Sequence, residues 1–198
     1  MQDIEYVKQD GIAIATFNRP EKLNAFRSQS RAALLELLED FKTDSSVKVL
    51  LLTGKGRAFS AGADLAEIHL SKEEPFDEEK EREGLEQFQS ITRKLIEVPK
   101  PIIALINGLA VGVGVEIALA CDIRLASQSA SFALTESKRS LFQTNGVMFI
   151  LPRLIGFGRA MEMMMTGRKV MAEEALQMGL LSFVYEPEAL MAEGLKMA

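Results

Sequence analysis

The sequence is poor in the side chains that hold disulfides and metals. It has a single cysteine, Cys121, so no intrachain disulfide is possible, and this fits a reducing compartment. It has a single histidine, His69, which excludes a metal site built from several histidines and leaves only that residue for a Ser-His-acid triad. Strongly basic character is also missing. The formal charge is -5, which argues against nucleic acid as a partner.

No stretch of the chain has the composition of a membrane span. The most apolar segment, residues 102–121, contains Asn107 and Glu116. Placing Glu116 in hydrocarbon would cost about 3 kcal/mol or more, so a buried strand followed by a buried helix is the better interpretation. The first residues show no basic segment followed by an apolar one, so no signal peptide is indicated. We therefore expect a cytoplasmic protein with no membrane partner.

The composition is that of an ordinary globular protein. The chain has 198 residues, of which 47% are hydrophobic and 26% charged. This length predicts one domain, residues 1–198. Strand and helix periodicities alternate along it, which favours an α/β fold with largely parallel strands. The pattern predicts strands at 4–8, 12–17, 47–53, 102–106, 123–127, 132–134 and 181–185, and helices at 30–41, 85–95, 112–121, 146–155, 158–165, 172–178 and 187–197.

Two glycine-containing loops, 54–64 and 108–116, follow predicted buried strands. The dinucleotide fingerprint fails because Ile117 stands where glycine or alanine is needed. The phosphate-loop pattern fails because Val49 stands where glycine is needed, and no serine or threonine follows Lys55. Two interpretations remain. The glycines serve tight turns and close packing, or the two loops place backbone N–H groups around one oxygen atom of a ligand.

Two glutamates lie in apolar surroundings. Glu116 follows the second glycine loop, and Glu136 follows a short apolar run. Burial raises the pKa of a carboxyl group toward the range that is useful in general acid–base catalysis. A structural interpretation also exists for each. The charge of Glu116 would be favourable at the positive, N-terminal end of a helix. Glu136 would be a capping residue at the surface, or would form an ion pair with Lys138 or Arg139.

The ordered set of motifs resembles the crotonase superfamily, which includes enoyl-CoA hydratases and isomerases. The matching segments cover nearly the whole chain in the order and spacing of the family. They are Asn18-Arg-Pro-Glu-Lys-Leu-Asn-Ala25, Arg57-Ala-Phe-Ser-Ala-Gly-Ala-Asp-Leu65, Lys100-Pro-Ile-Ile-Ala-Leu-Ile-Asn-Gly108, Gly112-Val-Gly-Val-Glu116, Ala120-Cys-Asp122, Ser131-Phe-Ala-Leu-Thr-Glu136, Leu151-Pro-Arg-Leu-Ile-Gly156, Thr166-Gly167 and Ala172-Glu-Glu-Ala-Leu-Gln-Met-Gly-Leu180.

The resemblance implies a crotonase-like spiral of ββα repeats that assembles as a homotrimer or hexamer. It implies an acyl-CoA substrate, with coenzyme A present only as part of the thioester and with no metal and no separate cofactor. Members of the family normally continue with a helical C-terminal segment over the acyl site. The chain stops at Ala198, so we expect this segment to be largely missing.

The resemblance also implies roles for individual residues. The backbone N–H groups of Ala63 and Val113 correspond to the oxyanion hole, with Val113 in place of the usual central glycine. Glu116 and Glu136 correspond to the two catalytic glutamates. The residues that correspond to the CoA-contacting loops are Lys22, Leu23, Ala25, Ala61, Ala63, Asp64 and Leu65.

Having both glutamates favours hydration of 2-enoyl-CoA to 3-hydroxyacyl-CoA, because simple double-bond isomerases of the family use chiefly the second. Two departures keep alternatives open. The loop at 137–146 lacks the Gly-Pro-Gly pattern common in hydratases, and Leu134 stands where they have a polar residue. The alternatives are a Δ3-Δ2-enoyl-CoA isomerase and a non-catalytic member that binds acyl-CoA.

Overall fold

The computed structural model describes residues 2–67 and 78–198. The strands in this part of the chain are β1 Ile4–Gln9, β2 Ile12–Phe17, β3 Val49–Gly54, β4 Ala58–Ser60, β5 Ile102–Ile106, β6 Leu109–Val111, β7 Ile123–Ser127, β8 Ser131–Ala133, β9 Val170–Met171 and β10 Phe183–Tyr185. The α-helices are α1 Ser28–Thr43, α2 Glu78–Glu97, α3 Val113–Ala120, α4 Val147–Ile155, α5 Phe157–Thr166, α6 Ala172–Met178 and α7 Leu190–Met197. Short 3₁₀ helices cover Pro20–Lys22 and Glu136–Arg139.

The strands form two sheets whose order follows the chain. The larger sheet runs β1-β2-β3-β5-β7-β10, and the smaller runs β4-β6-β8-β9. The pairings are parallel except β1 with β2 and β8 with β9. The chain therefore winds as a spiral, and each turn adds one strand to the growing edge of each sheet. The predicted α/β class with largely parallel pairing is confirmed.

The central strands of the larger sheet, β3, β5 and β7, are buried on both faces, as expected for parallel strands. Strand β5 shows how the sequence achieves this. Ile102, Ala104 and Ile106 face the main core, whereas Ile103 and Leu105 face a smaller core that α7 covers with Leu190. Continuous apolar runs of this kind, rather than alternation with polar residues, are typical of strands covered on both sides.

The predicted hairpin between β1 and β2 is confirmed. Asp10 and Gly11 both have positive φ angles, 51° and 82°, which is the conformation that a two-residue turn of this type requires. Other predicted elements differ at their ends by a few residues. For example, the helix predicted at 30–41 spans Ser28–Thr43, and the strand predicted at 181–185 begins at Phe183.

The prediction of plain loops at 54–64 and 108–116 is wrong in one respect. Each segment contains a three-residue strand, β4 in the first and β6 in the second, and these strands pair with each other. Three residues give too short a pattern for periodicity to separate a strand from a loop. The consequence is that the smaller sheet holds the two glycine segments side by side.

Candidate active site

The first glycine segment leaves one backbone donor unused. Phe26 pairs with Ala63 in a parallel bridge, in which the Phe26 N–H donates to the Gly62 oxygen (2.7 Å) and the Asp64 N–H donates to the Phe26 oxygen (2.8 Å). The N–H of Ala63, between these two bonds, points away from Phe26. Within the part of the chain that the structure describes, this N–H has no hydrogen-bond acceptor. Ala63 is not at a helix start, so a strand edge rather than a helix terminus frees its donor.

The second glycine segment leaves a donor unused for a different reason. Val113 is the first residue of α3, and the N–H groups in a first helical turn have no partner within the helix. No other described group accepts a hydrogen bond from the Val113 N–H. Gly112 precedes it with a φ of +49°, and the Gly112 N–H donates to the Ala133 oxygen at 3.0 Å. This bond ties the start of α3 to the end of β8.

Glycines bring the two segments into contact. A Cβ atom on Gly62, whose φ is +90°, would lie 2.7 Å from the Val111 oxygen and 3.4 Å from the Val113 nitrogen. A Cβ atom on Gly114 would lie 2.5 Å from the Ser60 oxygen. Both glycines are therefore required by close packing. The two glycine interpretations offered by the sequence are thus compatible, since the same packing brings together the two segments that carry the unused N–H groups.

Glu116 lies on α3, one turn after Val113, and its side chain is only 3% exposed. The pKa of Glu116 is raised to about 7, chiefly by burial; the negative charge of Glu136 contributes to the rise, while hydrogen bonds from the side chain and the backbone of Asn145 oppose it. A carboxyl group with this pKa exchanges protons readily near neutral pH. The electrostatic effect of Glu136 places the two carboxylates in one site.

Glu136 begins the 3₁₀ helix after β8 and is half-buried. Burial raises the pKa of Glu136, against hydrogen bonds from its own N–H and from the Gln143 side chain. A Cβ atom on Gly112 would lie 2.7 Å from Oε1 of Glu136, so this carboxylate rests directly on the backbone that precedes Val113. Neither Lys138 nor Arg139 forms an ion pair with Glu136 among the described residues, so the surface-pair interpretation fails.

The raised pKa of Glu116 predicts a pH-dependent cost in stability. Its ordinary pKa is 4.5 and its folded-state pKa is about 7, so the folded protein binds the proton more tightly than the unfolded chain. Stability is therefore full below pH 4.5 and falls as the pH rises through 7. At pH 8 the ionised, buried carboxylate costs about 3 kcal/mol.

Replacing this group with an uncharged one removes that cost. We expect Glu116→Gln to be more stable than the wild type at pH 8, by up to about 3 kcal/mol, and equally stable at pH 4.5. Urea unfolding of both proteins across this range measures the difference. Glu188→Gln, on the surface after β10, is the matched control and should change neither end of the range. A constant difference between Glu116→Gln and the wild type at all pH values would contradict the prediction.

The residues that correspond to CoA-contacting loops form two adjoining segments of backbone. The first segment follows the Pro20–Lys22 turn and contains Lys22, Leu23 and Ala25. The second segment follows β4 and contains Ala61, Ala63, Asp64 and Leu65. The Ala61 N–H donates to the Leu23 oxygen at 2.8 Å, which joins the segments. Lys22 and Leu65 are exposed and available to a ligand.

Arg19 is a residue of this region that the sequence pattern does not single out. Its guanidinium donates to the Ala25 oxygen at 2.6 Å and to the Asp64 carboxylate at 3.0 Å. Burial alone would raise the pKa of Asp64, but the Ala66 N–H and Arg19 together lower it. Arg19 therefore fastens the two segments together. It lies in the first motif that resembles the family, which is the only sign of its role in the sequence.

Other residues considered from the sequence lie elsewhere. His69, and the short helix expected around it, lie outside the described residues. Cys121 is fully buried at the end of α3, and burial raises the pKa of its thiol to about 12, which makes it unreactive. Met163 and Met164 are buried in the core, whereas Met165 is 69% exposed.

A separate groove lies apart from the glutamates. It has a volume of about 580 Å³ and is lined by residues of β1 and α1, including Tyr6, Lys8 and Asp40. It contains none of the unused N–H groups and neither of the raised-pKa carboxylates, so we do not assign the site to it. In the described ranges, no group of three or more His, Cys, Asp or Glu side chains could hold a metal ion, and no helix is long and apolar enough to cross a membrane.

The fold and the site together define a class of protein. The spiral superimposes on the crystal structure of an enoyl-CoA hydratase from Bacillus anthracis with a TM-score of 0.92 and 34% sequence identity, covering 99% of this chain and 75% of that one. The family model described as enoyl-CoA hydratase/isomerase matches residues 7–198. The chain therefore belongs to the enoyl-CoA hydratase/isomerase family of the crotonase superfamily.

Similar proteins include both a hydratase and an isomerase. The chain is 45% identical to (E)-benzylidenesuccinyl-CoA hydratase from Thauera aromatica, over 90% of this chain and 68% of the relative. It is 37% identical to 1,2-epoxyphenylacetyl-CoA isomerase from Escherichia coli, over 92% of this chain and 69% of the relative. The resemblance identified in the sequence is confirmed at the level of the family.

Proposed function

We propose that this protein adds water to the double bond of a 2-enoyl-CoA thioester and forms 3-hydroxyacyl-CoA. The observation that supports this most is the presence of two carboxyl groups with raised pKa, Glu116 and Glu136, beside two unused backbone N–H groups. The family and the hydratase relative supply the substrate class. No metal ion or separate cofactor is needed, because coenzyme A enters as part of the substrate.

In this proposal the thioester oxygen accepts hydrogen bonds from the N–H groups of Ala63 and Val113. These donors are fixed by the packing of Gly62 and Gly114, so they need no rearrangement when negative charge develops on the oxygen. The charge that forms there is that of an enolate. The position of Val113 at the start of α3 adds the favourable end of the helix dipole to the same oxygen.

The two carboxyl groups would share the proton transfers. Glu116, as the carboxylate, takes a proton from a water molecule whose oxygen bonds to C3 of the substrate. Glu136, as the acid, gives a proton to C2. One proton is taken and one is returned, so water is added across the double bond, and transfer of a proton from Glu116 to Glu136 restores both groups for the next turnover. We propose that the acyl-CoA lies along the two segments held by Arg19, with Lys22, Leu23, Ala25, Ala61, Asp64 and Leu65 as its contacts.

A second candidate is transfer of a double bond between C3 and C2, for which one base is enough. The observation that favours it is the hydrogen bond from Asn145 to Glu116, which already uses one oxygen of that carboxylate. Glu136 would then move the proton alone. The relative from Escherichia coli is an isomerase, so both reactions are represented among similar proteins. A member that only binds acyl-CoA is the third alternative.

Two assays on the wild-type chain separate these functions. Hydration of a short 2-enoyl-CoA is followed by loss of the absorbance of the conjugated thioester, and isomerisation of a 3-enoyl-CoA by its gain. We expect hydration to be the faster reaction. Isomerisation without detectable hydration would refute the hydratase proposal, and binding of acyl-CoA by calorimetry with no turnover in either assay would support the non-catalytic alternative.

We also propose that the protein assembles as a homotrimer or hexamer. Large apolar side chains are exposed along α4, α5 and the loop before them, including Phe142, Phe149 and Phe157 at 69%, 61% and 71%. Exposed apolar surface of this kind is typical of protein–protein interfaces. Sedimentation of the full-length protein tests this, and a strictly monomeric species would count against it.

A further inference from the structure

The loop at 137–146, which lacks the Gly-Pro-Gly pattern common in hydratases, places two of its side chains against Glu116 and Glu136. Residues 140–146 connect the 3₁₀ helix of Glu136 to α4, and two carboxamide side chains in this loop are buried. Nδ2 of Asn145 donates to Oε2 of Glu116 at 2.5 Å. Nε2 of Gln143 donates to Oε2 of Glu136 at 3.4 Å, a long and weaker contact. Each carboxylate thus receives one carboxamide from the same loop.

The Asn145 side chain is itself held from the other side. The hydroxyl of Thr144 donates to Oδ1 of Asn145 at 3.2 Å, which leaves the NH₂ group to face Glu116. The hydroxyl of Thr92, on α2, donates to the backbone oxygen of Asn145 at 3.2 Å. The Asn145 side chain is therefore oriented by one neighbour and its backbone by another. Such an arrangement fixes where the donated hydrogen points.

The charged surroundings of Glu116 are simple. The elements packed against α3 are α2, α4, β4 and β6. The strands contribute no charged residue. On α2 and α4, the charged side chains nearest to α3 are exposed or paired at the surface. They are Arg93, Lys94 (paired with Glu39), Glu97 and Arg153. The titratable group that acts on Glu116 is Glu136. Hydrogen bonds from Asn145 favour the ionised form, the one from its side chain more strongly than the one from its backbone.

We propose that Asn145 is a positioning residue for Glu116, whose carboxamide fixes the orientation of that carboxylate and stabilises its charged form. This rests on the proposed function in so far as Glu116 takes part in the reaction. A hydrogen bond to a charged group contributes more than one between neutral groups, and more so in a buried site. Without the Asn145 donor, Glu116 would hold its proton more tightly and would be a poorer acceptor of a proton from water at neutral pH.

Titration of the free chain tests this without requiring any turnover. Glutamate labelled with ¹³C at Cδ reports each carboxyl group by NMR, and loss of one signal in Glu116→Gln assigns the resonance. We expect the midpoint of the Glu116 titration to rise by about one pH unit in Asn145→Ala. It should rise further in Asn145→Asp, which keeps the shape of the side chain but sets a second carboxylate against Glu116.

Thr92→Val is the matched control. It removes the hydroxyl that holds the backbone of Asn145 and leaves the carboxamide in place, so the midpoint should rise by clearly less than it does in Asn145→Ala. An unchanged midpoint in both Asn145 variants would overturn the proposal. An equal rise in Thr92→Val would also overturn it, because the effect would then come from loosening of the loop. Asn145→Asp keeps the test valid if Asn145→Ala does not fold.

Kinetics provide a second readout. The acid limb of the pH profile of kcat should move with the NMR midpoint, a displacement that a loss of stability alone would not produce. If the wild type turns over no CoA thioester, the proposed function fails, while the NMR titration still decides the role of Asn145. If turnover is present and its pH profile does not move in Asn145→Ala or Asn145→Asp, the positioning role fails and the proposed function stands.

Discussion

Glu136→Gln should lower turnover by about 10²- to 10⁴-fold, which is the typical loss when one general acid–base group is removed. Glutamine keeps the shape and the hydrogen-bonding capacity of the side chain but cannot exchange a proton. Glu136 rests against Gly112, and a side chain of the same shape preserves this contact. We therefore expect the affinity for acyl-CoA to change little, and calorimetry measures it beside the rate.

The companion variant, Glu116→Gln, separates the two candidate reactions. Hydration needs a base that activates water as well as a group that protonates C2, so both variants should be severely impaired. Isomerisation moves one proton between two carbon atoms, so Glu116→Gln should then retain most of its activity. Glu188→Gln, the same change at an exposed position, is a control that should leave both rates unchanged. Full activity of Glu136→Gln in both assays would exclude either mechanism.

Val113→Pro should lower kcat by about 10²- to 10³-fold, the loss expected when one oxyanion donor is removed. Proline has no N–H, so the substitution deletes the proposed donor itself. Val113 is the first residue of α3, the one helical position where proline is well tolerated because its N–H has no partner within the helix. The helix should therefore form, and the loss should appear mainly in the rate rather than in acyl-CoA binding.

The matched control is Val113→Ala, which keeps the N–H and removes most of the side chain. Val113 packs against the main core and is only partly buried, so this change should cost about 1 kcal/mol of stability at most. Its kcat should stay within a few-fold of the wild type. Equal losses in the two variants would assign the effect to the Val113 side chain and would refute the oxyanion role of its N–H.

Much of the fold follows from patterns that are visible in the sequence. Continuous apolar runs predict the buried strands β3 and β5, and the Asp10-Gly11 pair predicts the turn of the first hairpin. These patterns are local, and each extends over several residues. By contrast, β4, β6 and β9 have only two or three residues each, and their positions are set by pairing between distant segments. No local pattern contains that information.

The same distinction applies to the site. Their apolar surroundings, and then the motifs that resemble the family, pointed to Glu116 and Glu136, and in the structure the charge of Glu136 raises the pKa of Glu116. Their catalytic roles remain predictions. The contact of Asn145 with Glu116 is not predictable from the sequence, because the two residues are 29 positions apart and nothing in the loop pattern indicates a buried donor. Likewise, the unused N–H of Ala63 results from a bridge to Phe26, which no periodicity reveals.

The order of the strands in both sheets has a consequence for how the protein is made. Because each sheet grows in the order of the chain, a nascent polypeptide can add one strand after another to an edge that already exists, without waiting for its C-terminal part. The residues of the proposed reaction centre are synthesised in the same order. Ala63 comes first, then Val113 and Glu116, then Glu136, and Asn145 last. A polypeptide stalled on the ribosome before residue 136 would thus hold a paired sheet with a half-built centre. Catalytic competence, in this fold, would follow the pairing of the first strands during synthesis.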